Sequence, residues 1–153
     1  MNKFQVSFNS PQCGWMSIGF SSGDNEFLTT TAHAPHSRAL PELLEILTEL
    51  LSDNSLKTDF LLKWNRNPEE FDFMFRKVDI HSVNFQIFQF PTEKRQSSEK
   101  VFEITCEINE FAEAFHTTYL HLKEDIDTDA FVQNWHQPFP FDEFSAFERA
   151  LKK

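Results

Sequence analysis

The chain has 153 residues, enough for one folded domain, and its 19 phenylalanines against three glycines predict an aromatic core and exclude a glycine-rich phosphate loop. A net charge of −10 opposes binding to nucleic acid or anionic lipid and favours a basic protein partner. The sequence contains no run of about 18 apolar residues, so no segment is expected to span a membrane. Two distant cysteines and the lack of an apolar leader predict a cytoplasmic protein.

Three short segments at the start of the chain have the period-two alternation of β-strands. They are residues 4–8, 15–20 and 27–31. Turn-forming residues end the first two segments: Asn9, Ser10 and Pro11 follow the first, and residues 21–25 follow the second. The second and third segments are expected to form a hairpin.

Residues 39–51 have the three- and four-residue spacing of an amphipathic helix. Six leucines share one side, and glutamates occupy the opposite side. Ser37 is placed to cap the first turn, which also tolerates Pro41. A helix of this kind is expected to cover a sheet, as part of the protein's own core.

Four further strands follow, at residues 60–64, 71–75, 83–87 and 102–108. Phe88 and Phe90 break the alternation, which indicates a bulge or a stretch covered on both faces. The polar residues 92–100 are expected to form an exposed hairpin loop.

The last third of the chain changes to helical spacing. A helix is predicted from Asn109 to about Asp125, then a short helix carrying Phe131 and Trp135, and a last helix from about Asp142. The sequence therefore predicts a single α+β domain over residues 1–153. It contains a largely antiparallel sheet of about seven strands, with the central and C-terminal helices packed on one face.

Asp125, Asp127 and Asp129 match the first three ligand positions of an EF-hand calcium loop. The glycine position of that loop is Ala130, and the bidentate glutamate position is His136. Because both features are missing, a helix-capping cluster is the better interpretation.

No other pattern predicts a catalytic or metal centre. The histidines are too poorly spaced to predict a zinc site, and Cys106 falls on the apolar face of its strand, as a buried inert thiol does. Nucleophile elbows, P-loops and dinucleotide fingerprints are absent. We therefore predict no cofactor, no metal and no catalytic residue, and we favour a protein that is not an enzyme.

Aromatic residues and prolines crowd the connection from Trp135 to Phe141. One interpretation is an exposed recognition loop with Trp135 and Phe139 as anchors for another protein. The alternative is that the segment packs against the edge of the sheet.

The segments GWMSIGFSSGDNEF and ALPELLEILTELL, the Phe-rich strands after them and the closing W-x-x-P-F-P-F resemble small uncharacterised bacterial proteins and immunity proteins of toxin systems. Immunity proteins of this kind are small, acidic and cytoplasmic, and they act by capping a toxin. The resemblance implies that role for this chain and carries over no functional residue.

These observations lead to the hypothesis of a protein-binding module, such as an immunity or inhibitor protein, that caps a basic partner. The expected contact residues are Glu110, Glu113, Glu124, Asp125, Asp127, Asp129, Trp135 and Phe139. One alternative is a small-molecule-binding protein or enzyme with a pocket between sheet and helices. Another is a structural homo-oligomer joined through a sheet edge.

Overall fold

A computed structural model describes residues 3–124 and 130–153 of the chain. In chain order the elements are β1 (Gln5–Phe8), β2 (Trp15–Ser22), β3 (Asn25–Ala32), α1 (Ala39–Leu50), β4 (Asp59–Asn65), β5 (Glu70–Lys77), β6 (Ser82–Phe90), β7 (Glu99–Glu107), α2 (Ile108–Glu124), α3 (Ala130–Trp135) and α4 (Phe141–Leu151). None of the described helices is both long enough and apolar enough to cross a membrane.

The seven strands divide between two antiparallel sheets. The first sheet has the order β1-β2-β3 and the second has the order β4-β5-β6-β7. The α+β class and the sequence of three strands, a helix and four strands are confirmed. The chain leaves the first sheet through α1 and begins a separate sheet at β4.

The first sheet crosses the second because β3 contacts both of its edge strands. At the start of β3, the side-chain amide of Asn25 donates a hydrogen bond to the carbonyl oxygen of Glu103 on β7, at 2.6 Å. At the end of β3, the carbonyl oxygen of Ala32 accepts a hydrogen bond from Nε1 of Trp64 on β4, at 3.1 Å. A strand in this position runs across the second sheet and adds no fifth strand to it.

The core between the sheets and α2 consists mainly of phenylalanine. Phe85 on β6 lies near its centre and contacts seven other phenylalanine rings at centroid distances of 5.0 to 6.3 Å. These rings belong to Phe4, Phe20, Phe73, Phe75, Phe102, Phe111 and Phe115. Phenylalanine carries no polar side-chain atom, so this core buries a large apolar area without requiring hydrogen-bond partners.

The predicted leucine stripe of α1 faces the core, and the helix packs against β4 and α4. The carbonyl oxygen of Leu40 accepts a hydrogen bond from the buried hydroxyl of Tyr119 on α2, at 2.7 Å. The predicted cap is wrong: the residue before the helix is Arg38, and no side chain within residues 3–124 and 130–153 caps the first turn. Ser37 lies one position too early for that role.

Helix α2 begins directly after β7 and covers the free edge of β1. The backbone N–H of Phe8 donates a hydrogen bond to Oγ1 of Thr118 at 2.5 Å, and the ring of Phe4 stacks on Phe111 with a centroid distance of 5.2 Å. An uncovered edge strand offers its backbone groups to other chains, and this contact occupies one of them.

The outer face of the second sheet is open to solvent over much of its area. Leu61 on β4 and Met74 on β5 are directly opposed in the register, and they are 47% and 44% exposed. The predicted irregularity is confirmed, because the pairing of β6 with β7 shifts between Ile87 and Phe88. Phe88 lies half-buried, on the face opposite to that of Ile87.

Candidate functional site

The helices carry most of the net negative charge of the protein. The helices α1, α2 and α4, which we call the helical layer, contain nine carboxylate side chains and two cationic ones, a net charge of −7. The net charge of the whole chain is −10. On α1, Glu42, Glu45 and Glu49 are exposed on the side opposite the buried leucines. The helical layer is therefore the part of the described molecule that attracts a cationic partner most strongly.

The predicted acidic contact residues occupy α2 and the segment after it. Glu113 and Glu124 are exposed, and Glu110 in the first turn of the helix is half-buried. Asp125, Asp127 and Asp129 lie outside the described residues, so the calcium-loop and helix-cap interpretations of these three stay predictions.

Trp135 and Phe139 pack inside the protein, at 2% and 4% exposure. The ring of Trp135 meets that of Trp64 edge-on at 6.2 Å, and the ring of Phe139 lies 5.8 Å from that of Phe144. These two side chains are therefore not accessible to a partner. Trp135 packs against Trp64 on the edge strand β4, as the packing interpretation expects, whereas the ring contacts of Phe139 are with α3 and α4. Phe141, which was not among the predicted contacts, is 52% exposed.

A groove runs between α1 and the N-terminal half of α4. It consists of a cavity of about 400 Å³ beside the connection that leads into α4 and a cavity of about 310 Å³ between the two helices. The two cavities share Asp142 and Glu143. We call this the α1–α4 groove, and its walls include Arg38, Pro41, Glu45, Phe141, Asp142 and Glu143.

Its electrostatics favour a positively charged side chain from another molecule. Arg38 and Glu45 form a 3.6 Å ion pair, but both side chains are more than half exposed, so this pair holds them together only weakly. Asp142 and Glu143 lie in the first turn of α4. Neither has an ion-pair partner among residues 3–124 and 130–153. Carboxylates beside an exposed aromatic ring suit a lysine or arginine flanked by an apolar residue.

Each part of this groove is visible in the sequence, but their adjacency is not. Glu45 lies opposite the leucine stripe, and Asp142 and Glu143 open the last helix. The packing of α1 against α4, almost 100 residues later in the chain, brings them together.

Comparison of the chain with protein-family models, with characterised proteins and with solved structures gives no match. The resemblance to immunity proteins therefore stays a hypothesis.

The cavity of about 690 Å³ between the end of α1, the β5–β6 turn and the start of α2 has a volume in the range of small-molecule sites. Its ionisable lining residues, Asp53, His81, Glu107 and Lys153, are all exposed. Small-molecule sites are mostly apolar, with a few convergent buried polar groups, and this cavity lacks that character.

A partly buried ion-pair network, centred on the buried Glu70, lies at one end of the second sheet. Glu70 is 7% exposed, and its Oε1 lies 3.0 Å from Nε2 of His36 and 2.9 Å from Nη2 of Arg95. Arg95 also pairs with Asp72, and its guanidinium lies 5.1 Å from the ring centroid of Phe90. A buried carboxylate needs such partners, and here they fix two loops to the sheet.

The rings of two histidines from distant parts of the sequence are in contact. The rings of His33, after β3, and His136, after α3, lie 4.4 Å apart, and Nδ1 of His33 is buried with no hydrogen-bond partner in the part of the chain that the structure describes. Burial lowers the pKa of His33, and the charge of His136 lowers it further. Among the described residues, no three His, Cys, Asp or Glu side chains converge on a possible metal position.

This pair predicts a loss of stability in mild acid. The unfolded chain binds a proton at His33 near the ordinary pKa of 6.5, whereas the folded protein binds it only at lower pH. The free energy of unfolding should therefore fall as the pH drops below about 6.5, with His33 contributing at most about 1.4 kcal/mol per pH unit. Urea denaturation between pH 5 and pH 8 measures this slope. His33→Gln, which removes the titrating ring, should make the slope shallower. Equal slopes for the wild type and His33→Gln would contradict the assignment.

Cys106 is half-buried on β7, and its environment opposes nucleophilic chemistry. Burial raises the pKa of its thiol to about 12, with further contributions from the nearby Glu110 and Glu107. The thiolate is the nucleophilic form of cysteine, so Cys106 stays protonated and unreactive at neutral pH.

Proposed function

We propose that this protein is a non-enzymatic binding module that caps a basic protein partner, in the manner of an immunity or inhibitor protein. The observation that carries the proposal is the concentration of nine carboxylates and two cations in one helical layer that also holds the α1–α4 groove. Long-range attraction would accelerate the encounter with a basic partner.

Electrostatic attraction alone does not provide contacts that exclude water. The α1–α4 groove is a place where such contacts can form. Phe141 is half exposed at its wall, next to Asp142 and Glu143. Apolar anchors in a water-excluding site slow dissociation, while surrounding charges mainly raise the association rate. The favoured ligand is therefore a surface segment in which lysine or arginine alternates with an apolar residue.

The test is native mass spectrometry of tagged protein recovered from its own source cells at low salt. We expect a basic polypeptide in stoichiometric amount that is lost as the salt concentration rises. Reversing Glu45, Asp142 and Glu143 to lysine should reduce the retained partner at least about tenfold, the equivalent of 1.4 kcal/mol. The neutral changes Glu45→Gln, Asp142→Asn and Glu143→Gln should give an intermediate loss.

The matched control reverses three exposed carboxylates away from the helices, Asp24, Glu93 and Glu99, and gives the same change in net charge. A further variant with Glu110, Glu113 and Glu124 reversed to lysine tests the surface of α2 separately. Equal losses in the groove variant and the control variant would contradict the groove as the binding site. Circular dichroism of each variant verifies that it is folded.

A further inference from the structure

The histidine pair lies where α3 packs against the first sheet. His33 follows β3, and His136 is the residue directly after α3. Their ring centroids are 4.4 Å apart, and the ring of His33 also lies 6.4 Å from that of Trp135 on α3. A backbone hydrogen bond crosses the same contact, from the N–H of Gly14 to the carbonyl oxygen of Asn134, at 2.6 Å. The two histidines are therefore part of the contact that docks α3.

The helix α3 depends on this contact because it has little stability of its own. It has six residues, whereas an isolated helix needs about twelve or more to be stable in water. The backbone on both sides of the contact is also strained, with φ angles of +53° at Cys13 and +73° at His136, in the left-handed region that side chains disfavour. Undocking relieves this strain. A change in the energy of the histidine contact can therefore shift the equilibrium between docked and undocked α3.

The contact accommodates neutral rings better than charged ones. A neutral imidazole leaves one nitrogen without a hydrogen, whereas an imidazolium donates from both nitrogens. Nδ1 of His33 is buried and has no hydrogen-bond partner within residues 3–124 and 130–153, so a proton there stays unsatisfied. Two imidazolium rings with centroids 4.4 Å apart also repel each other. Consistent with this arrangement, burial and the charge of His136 both lower the pKa of His33.

No carboxylate in the described part of the chain offsets a proton on His33. β2 and α3 contain no ionisable side chain. The other ionisable groups on the elements around His33 are Cys13, Glu26, His36, Arg38, Asp59 and Lys63. His36 pairs with Glu70, Arg38 with Glu45, and Asp59 with Arg76. Cys13 and Lys63 are exposed, and Glu26 lies at the opposite end of β3. The charge of His136 is therefore the one that acts on His33.

We propose that His33 and His136 form a pH-sensitive latch, which holds α3 and the connection to α4 against the first sheet at neutral pH and opens in mild acid. In that connection, Gln137 and Pro138 line the cavity of about 400 Å³ in the α1–α4 groove. Opening the latch removes this side of the groove, so acid weakens the hold on a partner bound there. That consequence rests on the proposed function, whereas the latch itself is a property of the chain alone.

Amide hydrogen exchange of the purified chain, followed by NMR between pH 7.5 and pH 5.0, tests the latch. The N–H of Gly14 reports on it, because its hydrogen bond to Asn134 breaks when α3 undocks. After division by the intrinsic exchange rate at each pH, the exchange of Gly14 should increase roughly tenfold from pH 7.5 to pH 5.0. The matched control is the N–H of Arg66, which donates a 2.8 Å hydrogen bond to Glu69 in the β4–β5 turn. Its exchange, divided in the same way, should stay constant.

Three variants identify the titrating groups. His33→Gln should abolish the increase at Gly14, and His136→Gln, at an exposed side chain, should limit it to about threefold. His81→Gln, in the β5–β6 turn of the other sheet, should keep the full increase. If His33→Gln does not fold, His136→Gln alone gives the answer.

Three results would overturn the latch: no increase at Gly14 in the wild type, an equal increase at Arg66, or the full increase in a folded His33→Gln or His136→Gln variant. An equal increase at Arg66 would mean that acid loosens the whole domain and not α3 alone. Because no partner is present in these measurements, their outcome is independent of binding in the α1–α4 groove, which the salt-dependent capture experiment tests separately.

Discussion

Replacing Phe85 with alanine is expected to lower the free energy of unfolding by about 3–5 kcal/mol, a large part of the 5–15 kcal/mol that stabilises a typical domain. Phe85 is fully buried, and seven phenylalanine rings surround it, from both sheets and from α2. These rings belong to separate elements and cannot all move inward, so the deletion leaves a cavity in the middle of the core. Chemical denaturation monitored by circular dichroism gives the value.

The comparison for this experiment is Phe141→Ala, because that side chain is 52% exposed and lies outside the core cluster. Phe141→Ala should lower the free energy of unfolding by no more than about 1 kcal/mol. Phe85→Leu should fall between the two, since it keeps part of the buried volume. If Phe85→Ala cost no more than Phe141→Ala, the centre of the core would lie elsewhere.

Gly14→Ala should be the second strongly destabilising change, with an expected loss of about 2–4 kcal/mol. Gly14 has a φ angle of +82°, which costs an alanine roughly 1–2 kcal/mol. A Cβ atom at this position would also lie 2.7 Å from Cδ2 of His33, whose ring contacts those of His136 and Trp135. The ring would have to move, and the docking of α3 would weaken with it.

Two further variants separate the backbone cost from the steric one. Gly23 has a φ angle of +63° in the exposed β2–β3 turn, so Gly23→Ala measures the backbone cost alone. Adding His33→Ala to Gly14→Ala removes the ring that collides with the new Cβ, and it should cost less than the two single losses combined. Simple additivity of the two losses would show that the contact between Gly14 and His33 is not the cause.

The sequence predicts the elements of this fold well because their signals are local. The leucines of α1 repeat with helical spacing, and the alternation at Phe71, Phe73 and Phe75 directly predicts β5 and its buried face. Even the irregularity at Phe88 shows in the pattern, because it interrupts an otherwise regular alternation.

The division into two sheets and the composition of the candidate site depend on contacts between residues far apart in the chain. Nothing near β3 indicates that it crosses the second sheet. Its position depends on the hydrogen bonds that Asn25 and Trp64 make with residues far away in the sequence. Trp135 and Phe139 resemble exposed anchors in the sequence, yet they are buried because α3 and α4 fold back onto the core. The α1–α4 groove cannot be predicted from the sequence either, because its two walls lie far apart in the chain.

The contact between β1 and α2 also bears on how the chain folds during synthesis. Phe8 and its hydrogen-bond partner Thr118 are separated by 110 positions, so the first strand leaves the ribosome long before the helix that covers its edge. Until α2 emerges, β1 has an unpaired edge and Phe4 lacks its stacking partner. A nascent chain that stops before residue 108 would expose both to neighbouring chains. We therefore expect truncated forms of the protein to depend on chaperones far more than the complete chain does.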